Sequence, residues 1–395
     1  MAVRHGYGKI AGTDALVFAY DTGDTRNSYR GEPTTNLYGN WNAYTGGSYE
    51  VLDNNTNYIK LLASAGTPWA GQFTAAVSAG TYTVSFQHRT DDAGSNNFNI
   101  DNDNQDDNIW NANITTTTEW QTYTSTKTHT GTGNHLLYFR RNGGAGDIYI
   151  RNVQLELKSH ATPFVKGTRS STQGLLDLTG NSSIDLSNVS FDSNAQPTFD
   201  GSNDYVDLSS ATSLLNLGST FSIEGILKLD NTSQGFGIVF SSLDVATGSQ
   251  TKGVGLYWRS VAEYGMSANT LRLQLGIAGW AWHIFASNGI SISDTNYHHV
   301  AVTLTGGNTS SPTIVFYIDG VAQAATKWTA GSTGAINNSS NANSLRLGSI
   351  YTASDPSYNN LYSAELLNVV KIYNRALTAS EVANNYRQYK SRFNL

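Results

Sequence analysis

Short segments in which apolar and polar residues alternate recur along this 395-residue chain, and that pattern constrains its fold more than any other feature. Tyr58-Ile-Lys-Leu-Leu62, Tyr82-Thr-Val-Ser-Phe86, Asn97-Phe-Asn-Ile100, His135-Leu-Leu-Tyr-Phe139 and Asp147-Ile-Tyr-Ile-Arg151 all read this way, each bounded by Gly, Asn, Asp or Ser. Successive side chains of a strand point to opposite faces, so a period of two buries one face and leaves the other to water. The helical period of 3.6 is nearly absent. The expectation is an all-β protein made of two β-sandwich, jelly-roll domains. Abundant Gly (38) and Tyr (22), beside only 14% charged residues, fit strands joined by long polar loops.

Charge and cysteine usage exclude several function classes. With 24 basic and 30 acidic residues the net charge is -6, which gives no electrostatic footprint for a phosphate backbone, so nucleic acid is not an expected partner. Zero cysteines rule out disulfides, thiolate metal sites and a cysteine nucleophile. No apolar run is long enough to span a membrane, and the first residues are too polar for a secretory signal. Those two readings predict assembly in a host cytoplasm without membrane insertion.

Residues 15 to 31, Ala-Leu-Val-Phe-Ala-Tyr-Asp-Thr-Gly-Asp-Thr-Arg-Asn-Ser-Tyr-Arg-Gly, resemble the first strand and turn of concanavalin A-like, laminin-G-type sandwich domains. The resemblance resumes at Gly174-Leu-Leu-Asp-Leu-Thr-Gly180 and Pro197-Thr-Phe-Asp-Gly-Ser-Asn-Asp-Tyr-Val-Asp-Leu208. It continues through Phe221-Ser-Ile-Glu-Gly-Ile-Leu227, His298-His-Val-Ala-Val-Thr-Leu304, Ile314-Val-Phe-Tyr-Ile-Asp-Gly-Val-Ala322 and Val370-Lys-Ile-Tyr-Asn-Arg-Ala-Leu-Thr-Ala-Ser-Glu-Val382. The last of these is a strand leading into a short helix that Thr378 or Ser380 can cap, with Glu381 complementing the dipole. Between them, Ile148-Tyr-Ile-Arg-Asn-Val-Gln-Leu-Glu-Leu157 and Ala161-Thr-Pro-Phe-Val-Lys-Gly-Thr-Arg169 resemble the exit of carbohydrate-binding-module-like jelly rolls in phage structural proteins. The implied organisation is an N-terminal arm (1–13), a first part of the sandwich (14–35), an inserted jelly roll (36–170) and the remainder of the sandwich with its C-terminal helix (171–395). Insertion is tolerated where strand ends meet at an exposed loop. It predicts that residues 15–21 share a sheet with 370–373 and that residues 30 and 174 lie close together. Two consecutive domains after an unrelated arm are the alternative.

Glycan surfaces need flat aromatic faces for pyranose rings and a few polar groups for hydroxyls. Trp69 and Trp110 read as loop-borne candidates, whereas Trp41 and Trp120 read as core. In Gly279-Trp-Ala-Trp-His-Ile-Phe285, Trp280 and Trp282 share one strand face, His283 and Phe285 the other, and one of the two faces must be core. Within Asn99-Ile-Asp-Asn-Asp-Asn-Gln-Asp-Asp-Asn108, Asp101, Asp103 and Asp107 offer oxygens to calcium, although the EF-hand glycine and closing glutamate are missing and a solvated acidic loop is the favoured reading. Related jelly rolls often hold calcium through a final-strand aspartate where this chain has Arg151-Asn152. A second candidate cluster, Asp177 with Thr179 and Asn181 together with Asp200 and Asp204, lies in stretches that read as turns, and Asx turns are the favoured reading of it.

Paired carboxylates of the Glu-x-Asp-x-x-Glu kind are absent from the sequence, and so are hydrolase and phosphate-loop motifs. His298-His299 reads as structural. The expected function is therefore non-enzymatic: a virion structural protein (capsid decoration, fibre or tail component) on the virion surface. It would form homo-oligomers, contact other virion proteins and bind cell-surface or extracellular glycans. The rival is a glycan-processing enzyme or its secreted carbohydrate-binding accessory region.

Overall fold

The computed structural model describes residues 15–39, 49–65, 68–101, 110–244, 252–277, 281–307, 312–330, 344–351 and 361–395. Two compact units make up the chain, one from residues 1–30, 171–192 and 196–395, the other from residues 31–170 and 193–195. Within the larger unit, Arg30 N–H donates to the Gly174 carbonyl at 2.8 Å and Leu176 N–H to that of Ser28 at 2.8 Å. The chain thus departs and returns at neighbouring points of one backbone ladder.

The larger unit is a concanavalin A-like sandwich of two antiparallel layers. One layer contains strands Ala364–Tyr373, Phe221–Leu229, Tyr297–Thr305 and Thr313–Ile318 in that order, with Leu16–Asp21 paired to Ala364–Tyr373 through Phe18↔Ile372 and Tyr20↔Val370. The other contains Ala281–Asn288, Thr270–Ile277, Val254–Arg259 and Phe236–Ser241. Val321–Ala330 belongs to both, its first residues pairing with Thr313–Ile318 and the rest with Ala281–Asn288. Strict alternation fills the interior: Leu271, Leu273 and Leu275 join Val254, Leu256 and Trp258 from one layer, facing Ile223, Val300, Val302 and Phe316 from the other.

The helix Ala379–Phe393 covers the outside of the first layer. Its Thr378 side chain accepts from Glu381 N–H while Glu381 reaches back to Thr378 N–H, a capping box that fixes where the helix begins. Val382 packs with Ala301, Tyr317 and Tyr373, and Tyr389 and Phe393 pack with Ile226 and Val369. Beneath it Glu224 and Lys371 form a buried ion pair at 3.1 Å.

In the smaller unit, a four-stranded sheet (Trp69–Val77, Gly133–Gly143, Asn96–Asp101, Asn111–Thr116) and a five-stranded sheet (Tyr49–Asp53, Tyr58–Leu61, Ile148–Glu156, Gly80–Thr90, Gln121–His129) contribute to one core. Ile59, Val84, Phe86, Phe98, Phe139 and Ile150 form its centre, each essentially without solvent contact.

Candidate functional site: an aromatic sheet face

Because the helix occupies the outside of the first layer, the outer face of the second is where side chains remain available. Alternation along Ala281–Asn288 sends Phe285 into the core and leaves Trp282, Ile284 and Ala286 outside. Their cross-strand neighbours share that face: Gln274 and Trp328 both pair with Ile284. Trp282 and Trp328 are half-buried, with ring centroids 6.3 Å apart.

A hairpin tip completes the patch. Glu263 and Met266 exchange both backbone hydrogen bonds, at 3.2 and 2.9 Å, around Tyr264 and Gly265 with φ of 56° and 74°. Two positive φ values at the central residues define a turn of type I′. Gly265 adopts this geometry freely; Tyr264 does so at a cost of about 1 kcal/mol, because its Cβ crowds the backbone. The strained residue is also 49% exposed, and its ring stacks on Trp328 at 4.1 Å. The hairpin tip therefore presents an exposed aromatic ring backed by a second one.

Polar groups flank the rings. Tyr257 hydroxyl donates to Gln274 Oε1 at 3.1 Å. The fully buried Arg272 guanidinium bonds Glu263 and the Val261 carbonyl, while Arg259 Nε donates to Glu263 Oε1 at 3.1 Å. Burial pushes the Glu263 carboxyl up, but the Arg259 and Arg272 guanidinium groups outweigh it and hold it below the usual carboxylate range. The tip carrying Tyr264 is thereby anchored by ionic contacts to both strands it joins, Val254–Arg259 and Thr270–Ile277.

The sequence-based candidates separate on this framework. Trp282 lies in the patch, whereas Trp280 falls outside the described residues. Trp69 is half-buried and faces away from the core, with its ring edge-on to Tyr138 at 5.3 Å. Trp110 is a correction: only 1% exposed, it packs in the jelly-roll core, so no ring face is left for a sugar. Trp120, expected to be core, instead lies under the Arg151 guanidinium at 3.8 Å. Asp101 faces Arg140 at 3.7 Å; Asp103 and Asp107 fall outside the described residues, and no cluster of three or more metal-ligating side chains occurs among those described. Asp177 accepts from Ala19, Thr179 and Asn181 N–H groups, and Asp200 from Ser202 and Asn203 N–H, as Asx turns require. His298 bridges Asp294 and Asp319, and the buried His299 lies 3.7 Å from Glu224. Tyr264 and Trp328 escaped the sequence analysis; the Tyr264-Gly265 pair, a bulky residue where a hairpin demands positive φ, was the available signal.

A lectin-like β-sandwich is the class this fold defines. Residues 200–383 match a family model, the concanavalin A-like lectin/glucanases superfamily. No curated protein matches the chain. Similar solved structures include Trypanosoma rangeli sialidase in complex with the inhibitor DANA, at 16% identity over 53% of this chain and 30% of that one, with a TM-score of 0.36. Another is Ruminococcus gnavus IT-sialidase CBM40 bound to α2,3 sialyllactose, at 14% identity over 48% of this chain and 93% of that one, TM-score 0.36. The chain thus spans less than a third of the sialidase, and likeness of this size carries no activity or site across.

Proposed function

We propose that the protein binds neutral glycans without cleaving them, through the face formed by Tyr264, Trp282 and Trp328 with Gln274 beside them. The observation that carries this reading is Tyr264, held at positive φ and exposed on top of Trp328. Rings of this kind take the C–H face of a pyranose, and the Gln274 amide serves its hydroxyls. Binding is favoured over hydrolysis by the state of Glu263: an anion held by two guanidinium groups cannot donate the proton a glycosidic oxygen needs. No second carboxylate joins the patch among the described residues.

A single stacked sugar binds weakly, so useful avidity requires many copies. Display on a virion surface, as the phage-like resemblance of residues 36–170 suggests, supplies them. An array of neutral glycans probed with a multivalent form of the protein, followed by chromatography of the bound sugars, tests the proposal. Retention of intact glycan is expected. Shortened oligosaccharides would overturn the non-enzymatic reading, and absence of binding to the multivalent form would overturn glycan recognition by this face.

A further inference from the structure

The five-stranded sheet of the smaller unit carries a cluster of a different chemistry on its outer face. Alternation there buries Ile59, Phe86, Ile148 and Ile150 and leaves Tyr58, Gln87, Arg89, Tyr149 and Arg151 on the opposite side. Trp120 immediately precedes the Gln121–His129 strand. The Arg151 guanidinium lies 3.8 Å from the Trp120 ring centre; that of Arg89 lies 5.3 Å from Trp120 and 4.4 Å from Tyr149. Tyr58 meets Trp120 edge-on at 5.8 Å. Two cations are thus gathered on one indole, which like-charge repulsion opposes unless an anion joins them.

No such anion is present among the described residues. Glu50 and Asp147 face Lys60, at 2.9 and 3.8 Å. Asp91 accepts from Asp147 N–H at 2.8 Å and from the Tyr149 hydroxyl at 3.3 Å. Among the described residues Arg151 donates only from its Nε, to Gln87 Oε1 at 2.9 Å, and Asn152 Nδ2 donates to the same oxygen at 3.2 Å. The Arg89 guanidinium has no hydrogen bond or ion pair with any described residue, and its Nε is sealed from solvent. A half-buried guanidinium without an acceptor is costly, and Arg matches the planar, bidentate geometry of a carboxylate.

We infer that Arg89 and Arg151, held by stacking on Trp120 and Tyr149, bind the carboxylate of an acidic sugar, a hexuronate or a sialic acid. The aromatic rim of Tyr58, Trp120 and Tyr149 receives the ring. Every residue of this site belongs to the smaller unit, so it does not rest on the proposal for the larger unit.

Titration calorimetry of the full chain with trigalacturonate and with 3′-sialyllactose, each against its methyl ester, tests the inference and tells the two acid sources apart. At least one free acid should bind, and esterification should weaken it about tenfold or more, the loss of a bidentate charged contact. Arg89→Met is the decisive variant. Replacing an unpaired, half-buried charge with an apolar side chain should hold or raise the melting temperature while acid binding falls by a similar factor. Arg151→Lys, which keeps the charge but loses the fork, should also bind less tightly. Trp282→Ala should leave acid binding unchanged, and failure of neutral-glycan binding would not touch this result. Absence of binding by both acids, esters that bind as well as acids, unaltered affinity in Arg89→Met, or equal binding of polyglutamate would each overturn the inference.

Discussion

Single residues decide what the candidate surfaces can do, and Tyr264 is the sharpest case. Its left-handed backbone costs stability that glycine would not incur, so Tyr264→Gly separates structure from function. Melting temperature should stay level or rise, and affinity for neutral glycans should drop about tenfold with the loss of a stacking ring. A variant that melts lower but binds normally would show that the ring serves the hairpin alone. The tryptophans make a related point. Trp110 and Trp120 both adjoin strands and both have polar neighbours in the sequence, yet one fills a core and the other supports two arginines. Only the position of the opposing sheet separates them.

Among the elements, the C-terminal helix shows how a covering piece imposes its own chemistry. By lying across the first layer it removes Glu224 and Lys371 from water. Burial alone would raise the Glu224 carboxyl, but Lys371, with His299 and Asn385, lowers it to about 2. Lys371→Ala would leave that carboxylate buried without its cation, a change expected to destabilise the protein by about 3–5 kcal/mol. Urea unfolding of this variant and of Lys371→Ala/Glu224→Gln, in which much of the stability should return, checks the coupling. Equal loss in both would mean that the pair contributes packing rather than charge. Where the helix starts was legible from Thr378 and Glu381, because a capping box is local. Which face it covers was not, since that depends on Ile226, Val369 and Tyr317, which are remote in sequence.

For the molecule as a whole, two buried carboxyls set opposing pH dependences. Burial pushes Glu365 up to about 8, against the Ser363 hydroxyl at 2.7 Å and Ile238 N–H at 3.1 Å. The folded chain holds this proton, whereas an unfolded chain releases it near 4.5, so its contribution is full below about 4.5 and drains away as pH rises to about 8. Glu224 acts in reverse, contributing above about 4.5 and losing that contribution as pH falls toward about 2. Buried His88 and His283, both pushed down to about 4 by desolvation, make stability rise with pH up to about 6.5, so the Glu365 effect is read above that range. Chemical unfolding between pH 7 and 9 should show stability declining with pH, and Glu365→Gln should flatten the decline. An unchanged slope in the variant would assign the pH dependence to other groups.

The all-β character followed from the sequence alone, since a period of two and glycine-bounded turns are local properties each segment carries wherever it lies; the sandwich of the larger unit was legible through the resemblance of its segments to laminin-G-type domains. The sequence also placed Phe285 and Trp282 on opposite faces, without saying which face was core. That choice belongs to tertiary structure: Phe285 is core because it joins the cluster that holds Leu273 of its own layer and Phe316 of the other, and Trp282 is outside because the helix covers the other layer. The same holds for Tyr264 on Trp328 and for Arg89 and Arg151 on Trp120. Each cluster joins residues from separate segments of the chain, and register and layer packing, which arise from contacts distant along the chain, decide which side chains meet.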